Sequence, residues 1–362
     1  MTRYHVTLRV LSPLHIGDGN ELRQDFDFVV HKERTWRLDE DAVLRAKEAQ
    51  LLGSATEQYP LPGRLLNSSD FGTEALFRYV LRGQPRSRKS DARVKSCIKD
   101  VHDCVYVPGS SLKGAIRTAL AWTGWDEVKP HLDRSAVGRG RSWAGQPLER
   151  KLFGRNPNHD LLRALHVSDL HGPKKAGERI TLVNAQVLTR RSAGSPIELE
   201  AVAGDAEFRG TITVDETLFS PQAENKLHFG RRQHWLKELP ARVQRHSAAR
   251  IADLEKWYEQ AENASAVARF YGKLTGINLP PDSALLQLGW GSGWDGKTFW
   301  THLQRDAEMF ETLVRDFKLH RPQRGAPARK PGDPFPRSRR TAMIKGKAAA
   351  PFGWCLLTMA RR

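Results

Sequence analysis

An α+β fold follows from three observations in this sequence of 362 residues. Short runs in the first half alternate apolar and polar residues, as strands with one buried face do. One run near residue 110 repeats its apolar residues every three to four positions, as a packed helix does. Beyond Pro221 helical spacing takes over, so strands and single helices are mixed along the chain. A chain of this length is expected to form two units, residues 1–220 and 221–362.

The first element is a strand, in which Tyr4, Val6, Leu8 and Val10 alternate with His5, Thr7 and Arg9 up to Ser12-Pro13. Leu14-His15-Ile16-Gly17-Asp18-Gly19 reads as a glycine turn, and Phe26, Phe28 and Val30 as a second strand. Residues 39–50 are expected to form a short helix capped by Asp39. Residues 82–99 hold seven basic side chains and one acid, Asp91, with little periodicity, which predicts a mobile loop or basic arm. Residues 107–120 read as a strand end, a tight turn and a helix whose apolar stripe is Leu112, Ala115, Ile116, Ala119 and Leu120. Residues 134–155 look like a basic, glycine-rich loop that Leu152-Phe153-Gly154 pins to the core. Residues 165–170 and 208–214 read as two further strands. Ile251, Leu254, Tyr258, Ala261, Ser265 and Ala268 keep helical spacing, as do Leu303, Ala307, Phe310, Val314 and Phe317. Between them Gly289, Gly291, Gly293 and Gly296 interrupt Trp290, Trp294 and Lys297. Residues 321–347 carry nine basic side chains against Asp333 alone and are expected to be a flexible loop, after which 352–357 form a closing strand.

Lys and Arg number 58 against 41 Asp and Glu, a net charge of +17 and a pI near 10.0, which points to a polyanionic partner. No apolar run approaches the ~18 residues of a spanning helix, so no membrane partner is expected and the protein is placed in the cytoplasm. Cys97, Cys104 and Cys355 are odd in number and lack C-x-x-C spacing, which predicts reduced, mostly buried thiols. Pro108-Gly109-Ser110-Ser111-Leu112-Lys113-Gly114 opens the helix with two hydroxyls and a lysine. Free N–H groups and the positive end of the helix dipole would meet an anion there together with Lys113 and, one turn on, Arg117. The spacing is not that of a Walker motif, and an ordinary Ser-capped helix is the alternative. On the first reading Lys113 stands exposed beside the apolar stripe, and its removal would leave the fold intact.

Five stretches in this order resemble the RAMP superfamily of CRISPR-associated proteins: residues 12–19, 108–114, Leu152-Phe153-Gly154, Val167-Ser168-Asp169 and 289–296. Asp25-Phe26-Asp27-Phe28, the helical insertion, and Arg339-Arg340 followed by Phe352-Gly353-Trp354 are most similar to the fifth subunit of the Csm, or type III-A, effector complex. The resemblance implies a RAMP, RNA-recognition-motif-like ferredoxin fold with a helical insertion and basic loops. It also implies a subunit that caps a filament of related subunits at the 3′ end of the CRISPR RNA and supports maturation of that RNA. Its partners would be that RNA, the other RAMP subunits, above all the filament-forming backbone subunit, and as a further candidate a host nuclease. The residues expected to grip RNA are His15, Gly17, Gly19, Ser110, Ser111, Lys113, Arg117, Gly291, Gly293, Lys297, Arg339 and Arg340.

No catalytic site, metal or cofactor is expected. His15 lacks a tyrosine or lysine at a spacing that completes a dyad. Related filament-forming subunits cleave RNA with a loop aspartate and a divalent metal, which makes Asp18, Asp25 and Asp27 the acids to weigh, though the sequence places none of them in that loop. Asp25 and Asp27 stand two apart on the expected second strand, need a third oxygen ligand to hold Mg²⁺, and read more simply as solvated carboxylates. No G-x-S-x-G, H-E-x-x-H or dinucleotide fingerprint is present. The rival to a non-enzymatic RNA-binding scaffold is an endoribonuclease using a loop Asp with Mg²⁺ or a His base.

Overall fold

The computed structural model describes residues 1–52, 59–87, 91–134, 137–138, 140, 143–320 and 329–361. The first half supplies β1 (Thr2–Val10), β2 (Gly17–Arg23), β3 (Phe28–His31), β4 (Arg34–Leu38), α1 (Glu40–Ala46), α2 (Glu48–Leu52), β5 (Phe77–Arg82), β6 (Arg93–Cys97) and β7 (Tyr106–Val107). Then come α3 (Gly109–Val128), α4 (Gln146–Phe153), β8 (Leu165–Val167), β9 (Leu170–His171), β10 (Ile180–Leu188), β11 (Ala193–Val202) and β12 (Glu207–Val214). The remainder holds α5 (Pro221–Leu227), α6 (Gln233–Lys237), α7 (Leu239–Glu259), α8 (Ser265–Thr275), β13 (Ser283–Gln287), α9 (Thr301–Gln304), α10 (Ala307–Asp316), β14 (Arg339–Ile344), β15 (Lys347–Pro351) and β16 (Trp354–Arg361).

Two sheets organise these elements. The first runs β13-β16-β1-β12-β9-β7, with β8 also beside β12. β1 lies between β12 and β16, both antiparallel, so that Leu8 pairs with Phe208 on one side and Leu357 on the other. The alternation expected of β1 is present, with Val6, Leu8 and Val10 buried and Arg9 exposed. Strands from residues 1–220 and from 221–362 therefore share this sheet. The second sheet runs β2-β6-β11-β10-β5-β4-β3, with β14 added to β10 and β15 to β14. The mixed layers are those of an α+β fold, as the sequence predicts.

Several elements differ from the sequence-based expectation. The glycine turn of residues 14–19 runs straight into β2, whose register against β6 shifts between Gly17 and Glu21. Asp25 and Asp27 sit in the turn before β3 rather than on a strand, with Asp25 at φ 63°. The expected basic arm of residues 82–99 contains β6, held between β2 and β11; residues 88–90 lie outside the described residues. The expected loop of residues 134–155 contains α4, and residues 135–136, 139 and 141–142 are outside the described set. The expected flexible loop of residues 321–347 contains β14 and the start of β15, with 321–328 likewise outside. The apolar stripe of residues 251–268 is divided between α7 and α8, and Asn263 at φ 57° lies in the break. A similar break precedes α10, where the Asp306 carboxylate accepts from Met309 N at 3.0 Å. Asp39 caps α1 as expected, accepting from Ala42 N at 2.9 Å. The three cysteines are unpaired, Cys97 and Cys355 buried and Cys104 half-buried. Among the described residues no helix is long and apolar enough to cross a membrane.

One buried carboxylate ties the second sheet together. Glu200 of β11 is fully buried and accepts from Lys99 Nζ at 2.6 Å, Tyr79 Oη at 2.8 Å and Cys97 N at 2.9 Å. Burial and the Glu200 charge push the Tyr79 phenol far above its usual pKa. Removing one partner of such a pair leaves the other charge buried and uncompensated. Glu200→Ala should therefore cost about 3–5 kcal/mol in urea unfolding, and Glu200→Gln, whose single oxygen can still accept from Cys97 N while its NH2 donates to the Tyr79 hydroxyl, clearly less. Equal losses for the two variants would show that charge pairing with Lys99 is not what the site supplies.

Candidate nucleic-acid interface

The five marker stretches gather into two knots. In the first, the glycine loop of residues 289–296 packs on the His15 turn and on residues 352–354. Trp290 N donates to His15 O at 2.8 Å, Leu288 N to Gly353 O at 2.8 Å and Gly353 N to Pro13 O at 2.9 Å. Gly289, at φ 69°, lies so close that a Cβ there would overlap the His15 carbonyl, which is why no side chain fits. Asp295, 1% exposed, holds the loop from beneath. Its carboxylate pairs with Arg339 at 3.2 Å, with the Arg250 guanidinium of α7 at 3.9 Å, and Arg250 Nη2 donates to Ser292 O at 3.0 Å. Gly291 lies against Phe352 and Gly293 against Asp295.

Two cations project from this knot. Arg340 is exposed and its guanidinium lies 4.8 Å from the centre of the Trp290 ring, which in turn meets Phe352 edge-on at 5.2 Å. Lys297 is exposed nearby; desolvation, and then the Arg340 charge, hold its ammonium below the ordinary lysine pKa. Trp294 is turned the other way, against Phe310 and Phe335 at 5.9 and 5.0 Å. Gly17 and Gly19 are exposed at the start of β2.

His15 itself faces inward. It is 2% exposed, its Nδ1 lies 2.7 Å from Glu200 O, and burial lowers its pKa. The histidine is a joint between Glu200 and the glycine loop.

The second knot corrects the expectation for the helix start. The N-terminus of α3 already has its anion, because the Asp169 carboxylate accepts from Gly109 N at 2.7 Å. Ser110 is exposed, whereas Ser111 is half-buried and donates its N–H to Pro108 O at 2.9 Å. Lys113 is not a free flank: Nζ donates to Leu165 O at 2.7 Å, and desolvation lowers its pKa. Arg117 pairs with Glu149 and Asp160, both at 2.8 Å, and lies 4.2 Å over the Phe153 ring. The Val167-Ser168-Asp169 and Leu152-Phe153-Gly154 stretches are thus the packing partners of this helix.

The acids weighed for catalysis are also engaged. Asp27 accepts from Arg23 N at 2.7 Å and lies 3.7 Å from Arg37, Asp25 lies 3.4 Å from Arg64, and Asp18 accepts from Asn20 N at 2.9 Å. Among the described residues no three His, Cys, Asp or Glu side chains are grouped to hold a metal ion. Asp295 and Arg250 were missed in the sequence. An acid inside a glycine-rich loop was a faint sign of the first, and nothing marked the second.

A family model described as the RAMP superfamily matches residues 7–294. The chain belongs to that superfamily. No curated protein matches the sequence. Among solved structures this RAMP chain is similar to a chain in the cryo-EM structure of a Csm-crRNA-target RNA ternary complex of a type III-A CRISPR-Cas system, with TM-score 0.72 and 25% identity over 99% of this chain and 100% of that one. It is also similar in fold to Csm5 of T. onnurineus, with TM-score 0.61 and 22% identity over 97% and 99% of the two chains.

The core beneath the RAMP glycine loop carries a pH dependence. His246 of α7 is 5% exposed, 5.6 Å from Trp122, and its Nε2 has no hydrogen-bond partner. Burial, then the Arg250 and His302 charges, lower its pKa to about 3. The folded pKa lies below the unfolded value of about 6.5, so the stability tied to neutral His246 is complete above that value and is lost as pH falls toward 3. His15 and His302, also lowered by burial, act with the same sign. Between pH 6.5 and 5, unfolding free energy should fall by up to about 1.4 kcal/mol per pH unit for each such proton, and His246→Leu should make that slope shallower. A slope unchanged in His246→Leu would refute the assignment. Lys113→Ala should cost about 1 kcal/mol in urea unfolding, because Leu165 O loses its donor; an unchanged midpoint would restore Lys113 as a free surface cation.

Proposed function

We propose that this RAMP protein is a non-catalytic RNA-binding subunit of a type III-A CRISPR effector complex. It caps the filament of related subunits at the 3′ end of the CRISPR RNA, supports maturation of that RNA in antiviral defence, and works in the cytoplasm. The observation that carries this reading is the full-length likeness to a chain of a Csm-crRNA-target RNA complex, which leaves no large part of either chain unmatched. Its partners on this reading are the RNA, the neighbouring RAMP subunits and a host nuclease.

The chemistry of the first knot supports RNA binding. The Arg340 guanidinium lies 4.8 Å from the centre of the Trp290 ring and Lys297 stands near it, so one cation from β14 and one from the end of the glycine loop face solvent beside the Asp295 ion pair. Such groups take phosphates without reading bases. Arg339 has another task, since Asp295 holds it at 11% side-chain exposure. The nuclease alternative finds its candidates occupied: His15 is buried against Glu200 O, and Asp25 and Asp27 are paired with arginines.

The purified chain should bind single-stranded RNA with little sequence preference, and log affinity should fall with log salt by ~0.7 per phosphate neutralised. Arg340→Gln should lower that slope by about 0.7 with the unfolding midpoint unchanged. An affinity independent of salt would sink the reading. In a reconstituted complex, omitting the subunit should change the length or retention of the guide's 3′ end. Asp25→Ala with Asp27→Ala, or His15→Ala, should leave target cleavage per assembled particle near wild type. Loss of one specific cut with assembly and guide length intact would make the subunit a nuclease.

A further inference from the structure

The turn after Leu152-Phe153-Gly154 presents a second basic surface, remote in sequence from the glycine loop. Arg155 and His159 on one side and His228, Arg231 and Arg232 on the other line a cavity of about 440 Å³. Arg163 belongs to the adjoining cleft. Among the described residues the three acids of these two clefts are already used. Glu149 and Asp160 pair with Arg117, and Glu224 accepts from Gly230 N at 2.6 Å. Arg155, Arg163 and Arg231 are exposed, and among the described residues no ion pair neutralises them.

The surface is built, not a loose loop. Gly154, at φ 136°, brings the backbone so near the His159 carbonyl that a Cβ would overlap it. His159 N donates to Asn156 O at 2.9 Å, and Asp160 Oδ1 accepts from Leu162 N at 2.8 Å. His159 Nδ1 lies 2.8 Å from Asn156 Oδ1 and Nε2 lies 2.8 Å from Arg155 Nη2. The guanidinium can only donate, so a neutral ring with its proton on Nδ1 satisfies both contacts and aims Arg155. Desolvation, and then the Arg155, Arg163 and His228 charges, hold the imidazole below its ordinary pKa. On the other wall Arg232 Nη2 donates to Lys151 O at 2.9 Å, which fixes it beside Arg231.

Like charges that outnumber the acids beside them repel one another, and an external anion relieves the repulsion. We propose that the cleft between the 154–163 turn and residues 228–232 is a second site for the phosphate backbone of RNA, with Arg155 and Arg231 as its principal contacts. The inference rests on the RNA-binding reading and extends it: the RNA strand is held at two places, the glycine loop and this cleft.

The test uses the full chain and a fluorescent 20-nucleotide oligouridine in a salt titration. Arg155→Gln with Arg231→Gln should weaken binding about a hundredfold at low salt, as for the loss of two charge-assisted contacts, and reduce the salt slope by about 1.4 for two phosphates. Arg155→Lys with Arg231→Lys should restore most of the slope, since phosphate contact needs charge more than fork geometry. Thermal unfolding checks that each variant is folded. If wild type binds with a salt-dependent affinity that Lys297→Gln with Arg340→Gln lowers and the Arg155/Arg231 pair does not, the second site is overturned and the RNA-binding reading stands. If wild type shows no salt-dependent binding, the RNA-binding reading itself fails. If the Arg155/Arg231 pair keeps RNA affinity but loses assembly with neighbouring subunits, the cleft is a protein interface and the inference is also overturned.

Discussion

The buried carboxylate of Glu200 sets the position of much of the molecule. A carboxylate without exposure is stable only when its oxygens are filled, and here a lysine, a phenol and a backbone N–H fill them. Those donors come from β5, β6 and the second residue beyond β6, so the three contacts fix how β5, β6 and β11 meet. The same residue's backbone carbonyl takes the His15 Nδ1 contact at 2.7 Å, and residue 14 pairs with Val202 across the end of β11. His15 then offers its own carbonyl to Trp290 N. A chain of direct contacts thus runs from a charge in the core to the surface loop. Losing the charge would loosen that loop although no loop residue had changed.

Asp295 repeats the device on the other side of the glycine loop. Two guanidiniums converge on it, one from a helix and one from β14, and the Nε atoms of both arginines are left without partners. Such an arrangement is costly in desolvation and therefore weak evidence for stability. What it does supply is position. Arg339 faces inward onto Asp295 and Trp257, so on the next residue of the strand Arg340 faces outward onto Trp290. Strand alternation turns two adjacent arginines into one structural and one exposed cation.

How much of this was legible in the sequence depended on whether a segment had one wet face. β1 was readable because Val6, Leu8 and Val10 face the core and Arg9 faces water. β13 was not, because all five of its residues are buried and its sequence shows no alternation. Basic composition misled in three places: β6, α4 and β14 carry Lys or Arg on outer faces, and the charge masked their periodicity. The marker stretches come together at two places in the fold, but spacing did not show which groups of the protein their polar atoms meet. From spacing alone Lys113 and the α3 N-terminus looked free, and only the fold brings Leu165 O and the Asp169 carboxylate to them. Long-range partners of this kind leave no trace at short sequence separation.

The net charge of +17 is not spread evenly over the chemistry. Acids near the two knots are engaged by the protein's own groups: Glu200 on Lys99 and Asp295 on Arg250 and Arg339 in the core, Asp169 on a helix end, and Glu149 and Asp160 on the half-exposed Arg117. Acids held in this way do not pair with Lys297 and Arg340 at one place or with Arg155, Arg163 and Arg231 at another, and those cations face solvent. Glycines at positive φ and short capped turns hold them there, which limits the entropy lost when an anion arrives. The same carboxylates that fix the fold therefore also create the positive field at its surface, and the stability of the core and affinity for a polyanion are two results of one distribution of charge.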